Sequence, residues 1–259
     1  MTDTVAPSDP PVRKISPAGP VILAAWLAVG AALLFVPHAP HVLTFAFVMI
    51  GWMLSVMLHE FGHAWVAWRA GDHTVMTRGY LDFDPRRYAD PVTSLAIPLL
   101  ALALGGIGFP GGAVYLRTDL MRSRLWRSAA ALAGPAATAA IFLVLALVLR
   151  LWANAGAEGD LYPALSLLAF LQAMALVINL LPLPGLDGFN ALRPFLPKAL
   201  TRGLRKLEGL MSWAVLAAIF FVPEVGKALF RQAAELSIGI GLQPAVIDYG
   251  LAAFYFWRT

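Results

Sequence analysis

The chain has 259 residues, of which 59% are hydrophobic and 13% charged, with a formal net charge of +4 and a mean hydropathy of +0.73. Soluble domains carry roughly 25% charged residues, so this composition excludes a soluble globular protein and implies one that crosses a membrane several times. The absence of cysteine removes disulfides and thiolate metal ligands, and a small positive balance spread over loops sets membrane orientation rather than nucleic-acid binding.

Residues 1–16 are polar, with five prolines by position 20. They read as a disordered cytoplasmic tail and lack the basic, apolar, small-residue order of a cleaved signal peptide. Residues 17–259 read as a single membrane-embedded domain. Apolar segments cover 20–36, 42–68, 92–109, 127–151, 161–183 and 209–223, and a weaker one at 236–257 is interrupted by Gln243, Pro244 and Asp248. Most approach the roughly 20 residues needed to cross about 30 Å of hydrocarbon. Trp65, Trp68, Trp126, Trp152 and Trp257 near their ends suit the interfacial belt. The fold class is an all-α polytopic membrane protein with about six transmembrane helices.

The second segment carries His59-Glu60-Phe61-Gly62-His63, an H-E-x-x-H motif, and Glu60 is the only formal charge between Lys14 and Arg69. An acid at bilayer depth costs about 2.5–3.5 kcal/mol on insertion scales, which marks it as functional. On a helix, His59 and His63 fall one turn apart on one face, placed to share a zinc ion, with Glu60 beside them to hold a water.

The distribution of basic residues orients the chain. Arg13 and Lys14 precede the first span, the following loop around His38 and His41 has no Lys or Arg, and Arg69, Arg78, Arg86 and Arg87 follow the second span. Arg117, Arg122, Arg124 and Arg127 come after 92–109, and Arg193 to Lys206 is basic again. All these loops lie inside only if 92–109 enters and returns on one side. Pro98, Gly105, Gly106, Gly108, Pro110, Gly111 and Gly112 disfavour a continuous helix there. A re-entrant, partly irregular segment is therefore expected near 92–116, covered by protein or lining a watery cavity.

A catalytic zinc takes three protein ligands and leaves a place for water. His38 and His41 belong to the opposite side, and His73 reads as a solvated loop residue. Asp187 is the only charge between Leu161 and Leu192 and follows Pro182-Leu-Pro184-Gly, a helix-breaking run that aims a carboxylate inwards from a broken span. Alone, it reads equally as the cap of a helix starting at Phe189. An H-E-x-x-H at matching depth favours the ligand.

Together these motifs resemble the site-2 protease family of intramembrane zinc metalloproteases, in its minimal form without PDZ or CBS domains. Asn179, Pro182, Asp187 and Gly188 match the family's N-x-x-P-x-x-x-x-D-G pattern with its spacing intact. Arg69-Ala-Gly-Asp72, Asp84-Pro85, Asp90-Pro91, Pro110-Gly-Gly-Ala-Val-Tyr115 and Ala133-Gly134-Pro135 are similar too, so the likeness covers about positions 45 to 195. The chain departs from the family at Thr138, where many members have Asn, and at Tyr88-Ala89, where many carry His before the second Asp-Pro. The resemblance implies one Zn2+ per chain on His59, His63 and Asp187, and Glu60 as general base and then acid. It gives Asn179 a choice between binding substrate or oxyanion and a helix–helix hydrogen bond. The implied partners are single-span membrane proteins, and the implied location is the cell inner membrane with the site towards the cytoplasm. Residues 113–116 could offer a substrate an edge strand.

Three other readings stand beside this one: a non-proteolytic metal-binding scaffold, a transporter, and a diiron oxidase. Glu60 argues against the first, the lack of a visible inverted repeat against the second, and a total of five histidines against the third.

Overall fold

The computed structural model describes residues 16–87, 114–156, 159–205 and 221–258, with the isolated positions 210, 214, 217 and 218. Its long helices are α1 (Ala18–Phe35) and α2 (His41–Ala70), followed after a four-residue α3 (Thr74–Thr77) by α4 (Arg124–Asn154) and α5 (Leu161–Asn179). Then come the short α6 (Asp187–Leu192) and α7 (Lys198–Arg205), and finally α8 (Pro223–Gly239) and α9 (Pro244–Phe254). Among the described residues there is no strand, and the four helices α1, α2, α4 and α5 are long and apolar enough to cross a membrane.

The sequence expectation of about six spans therefore meets four among the described residues. Segment 92–109, with the expected re-entry, lies outside the described residues, as do most of 209–223 and the tail 1–15. The weak segment 236–257 is not one helix: α8 ends at Gly239, Gly241 turns at φ 94°, and Pro244 opens α9. Glu224, Lys227, Arg231 and Glu235 hide α8 from a hydropathy scan, although Leu229, Ala233 and Ser237 form a buried stripe.

The central helix is α5, with 78% of its apolar window buried against 17% for α1. Leu167, Leu168, Phe170 and Met174 lie in the main core with Phe47, Trp52, Phe142, Leu149, Ile247 and Phe254. In lipid the apolar effect does not bring helices together, so close packing by small residues does that work. Gly51 faces Leu168 and Trp26, and Gly250 of α9 lies so near α5 that an added Cβ would stand 2.3 Å from the Pro163 carbonyl oxygen.

The level of each helix end is set by hydrogen bonds. The Arg122 N–H donates to the Ala70 carbonyl at 3.0 Å, joining the end of α2 to the entrance of α4. Whatever the path of the residues between, the chain leaves α2 and enters α4 at the same height. Ser123 then caps α4, its hydroxyl accepting from the Trp126 N–H at 3.2 Å.

Gly250→Ala is expected to push α9 off α5 and to cost about 1–3 kcal/mol by overpacking. Thermal unfolding in detergent reads this as a lowered midpoint.

Candidate metal centre

The H-E-x-x-H residues lie in the second half of α2. His59, Glu60 and His63 are all buried, at 5–6% exposure. The helix places both imidazoles on the face towards α4, and Gly62 lets the two helices close. A Cβ on Gly62 would stand 2.7 Å from the Ala133 carbonyl oxygen.

Asp187 arrives by a different route. After Asn179 ends α5, the Pro182–Gly185 run turns the chain back, with Gly185 at φ 97°, a left-handed value that favours glycine. The Leu186 N–H donates to the Leu183 carbonyl at 3.0 Å. Gly188 packs on the end of α5, where a Cβ would lie 2.3 Å from the Leu180 carbonyl oxygen. The result brings Asp187, first residue of α6, against both histidines.

The candidate ligand atoms cluster tightly, the two imidazoles facing different oxygens of one carboxylate. His59 Nε2 lies 3.1 Å from His63 Nε2 and 3.2 Å from Asp187 Oδ2, and His63 Nε2 lies 3.4 Å from Asp187 Oδ1. Two ligands each about 2.0–2.1 Å from one tetrahedral zinc stand about 3.3 Å apart, so these separations match the spacing that a shared zinc requires. This is the group among the described residues able to hold a metal ion.

The helix α4 completes the fit in two ways. The His63 Nδ1–H donates to the Ala130 carbonyl at 2.7 Å, and His59 Nδ1 bonds Thr138 Oγ1 at 2.9 Å. A carbonyl only accepts, so a neutral His63 presents Nε2 as the lone-pair atom. The Thr138 hydroxyl is able to accept from a His59 Nδ1–H, the arrangement that frees Nε2 for a metal and an outer support typical of metal-bound histidines. Between them sits Gly134, where a Cβ would stand 2.2 Å from His63 Nε2 and 2.6 Å from His59 Nε2. Lack of a side chain there keeps room beside the ligand nitrogens.

The other sequence candidates sort cleanly. Asn179 is buried and lines a cavity with His59, Thr138, Ser55, Trp52 and Gln172. His73 is exposed, and His38 and His41 lie exposed at the far end of α2, about 27 Å of helix from His59. Residues 114–117 form no regular element; the Val114 N–H donates to Glu60 Oε2 at 3.0 Å. Sequence reasoning noticed Thr138 only as a departure from a pattern and missed both its bond to His59 and the contact between Val114 and Glu60.

The chain is 41% identical over 216 residues to “Putative zinc metalloprotease Rip2” of Mycolicibacterium smegmatis, covering 83% of this chain and 82% of that protein. The protein of the same name from Mycobacterium tuberculosis is 45% identical over 186 residues, 72% of this chain and 71% of its own. The chain belongs to the site-2 protease family. A more distant relative, “Putative zinc metalloprotease YwhC” of Bacillus subtilis, is 25% identical over 183 residues, 68% of this chain and 81% of its own. No protein-family model matches the chain, and no solved structure gives a significant match. The protein is thus an integral membrane zinc metalloprotease. This sets aside the scaffold, transporter and oxidase readings.

Gly134→Ala is expected to abolish zinc binding while helix content stays unchanged, read by metal analysis and circular dichroism of purified protein. Thr138→Val is expected to weaken zinc by about 10- to 100-fold in chelator competition, and Thr138→Ser to restore most of that loss.

Proposed function

We propose that this metalloprotease cleaves peptide bonds of single-span membrane proteins within or near the bilayer, with zinc on His59, His63 and Asp187. One observation carries the reading: a cluster of two imidazoles and a carboxylate able to hold a metal, with a buried glutamate beside it, lies between helices long and apolar enough to cross a membrane.

When bound, zinc supplies Lewis-acid polarisation of the scissile carbonyl and acidification of a water. Glu60 accepts a proton from the attacking water as its oxygen bonds to the carbonyl carbon. As the C–N bond breaks, Glu60 passes that proton to the leaving amine. Asn179 shares a cavity with His59, which supports a role for its amide N–H in steadying the substrate's carbonyl oxygen as charge develops. A helical substrate hides its peptide bonds in its own hydrogen bonds, so the segment to be cut must first unwind locally. Residues 113–116 are the proposed place for it to lie.

The orientation belongs to the same reading. Arg69, Arg78, Arg117, Arg122 and Arg124 gather where α2 ends and α4 begins, which supports a cytoplasmic site and an N-terminus on that side of the cell inner membrane. Water reaches the site more easily from that end.

In proteoliposomes carrying a tagged single-span substrate, the protein is expected to yield two fragments. Glu60→Gln should keep its zinc and lose turnover; a Glu60→Gln protein that still cleaves would sink the assignment. Asn179→Ala is expected to lower kcat by about 10²- to 10³-fold if the amide acts as an oxyanion donor, and to leave kcat unchanged if it only joins helices.

A further inference from the structure

Glu60 and Val114 lie 54 residues apart in the chain, yet Glu60 Oε2 receives the Val114 N–H at 3.0 Å. Something must deliver residue 114 to that place. The candidate is Asp72, two residues past the end of α2 and fully buried at 0% exposure.

Both oxygens of the Asp72 carboxylate are engaged. Oδ1 accepts from the Thr74 N–H at 3.1 Å and from the Thr74 hydroxyl at 2.6 Å, while Oδ2 accepts from the Arg117 N–H at 2.7 Å. A buried carboxylate is costly unless saturated with donors, and here one backbone donor comes from each of two chain segments. One side fixes the turn after α2. The other takes hold of the irregular stretch 114–117 three residues from Val114. Arg78 adds a bond to the Tyr115 carbonyl at 3.1 Å, and beyond this stretch Arg122 is tied to Ala70.

We propose that Asp72 is a positioning residue for the general base. By holding the Arg117 N–H it sets the register of residues 114–117, and this register keeps the Val114 N–H on Glu60 Oε2. One carboxylate oxygen is then occupied by a fixed donor and the other is left for the water. The inference rests on the proposed role of Glu60. It explains why a carboxylate stands at 72: asparagine has the same shape but a single acceptor oxygen, and its NH2 would face an N–H.

The test compares zinc-loaded Asp72→Asn, Val114→Pro and the double variant in the proteoliposome assay. Asp72→Asn and Val114→Pro should each lower kcat by roughly tenfold or more, the scale of one charge-assisted hydrogen bond, with zinc stoichiometry unchanged. The double variant should be no slower than Val114→Pro alone, because both lesions break one linkage. Losses that multiply, or an Asp72→Asn enzyme with normal kcat, would overturn the proposal. A second readout does not depend on catalysis or on the proline variant folding: amide exchange at Val114. It should be slow in the native protein and at least tenfold faster in Asp72→Asn, while the amide of Ala67 in α2 is unaffected. Unchanged exchange at Val114 would refute the role of Asp72 even if the protein cleaved nothing. Failure of the native protein to cleave, with the exchange result as expected, would instead refute the proteolytic reading.

Discussion

The close antiparallel approach of α2 and α4 is the constraint from which the site follows. Gly62 and Gly134 remove the side chains that would hold these helices apart. Once they touch, one stripe of α4 at four-residue spacing meets the two histidines. Ala130 takes His63, Thr138 takes His59, and Gly134 between them leaves the gap beside both Nε2 atoms. A wider crossing would lose both outer hydrogen bonds together. In lipid such an approach is stabilised by packing rather than by removal of apolar surface from water, which is why alanine and glycine rather than leucine occupy this seam.

Four acidic side chains in or beside this region are withdrawn from solvent to different degrees, and each is compensated differently. Asp187 faces two imidazoles, Glu60 a backbone N–H, and Asp72 two N–H groups and a hydroxyl. Asp84 lies outside the spans and binds the Arg86 guanidinium and the Ser16 hydroxyl. The Arg86 hydrogen bonds hold its carboxyl down to about 2. Only Asp84 has a conventional ion pair among these contacts. The other three are held by neutral hydrogen-bond donors or by groups able to bind metal.

Much of this was legible in sequence because it obeys local rules. Helical spacing put His59 and His63 on one face, and an isolated charge after a Pro-x-Pro-Gly run marked Asp187. The ends of the long helices fell within a few residues of their hydropathy limits. What escaped notice depends on contacts between distant segments. Nothing near Val114 announces that its N–H meets Glu60, and a threonine on an apolar helix gives no sign that it supports an imidazole. The α8 helix was missed for a different reason: its charged face masks a narrow apolar stripe, so average hydropathy and helical order part company.

The hydrogen bond from Arg122 to Ala70 also has a bearing on how such a chain can change over time. It closes about fifty residues into a loop whose two ends are fixed beside one another, independently of what lies inside. The entropy of closing a loop rises only with the logarithm of its length, about 0.6 kcal/mol for each doubling. A change in the length of that loop would therefore leave its two fixed ends, and the seam between α2 and α4, in place. The joint between α2 and α4 is thus insulated from the length of the chain that links them.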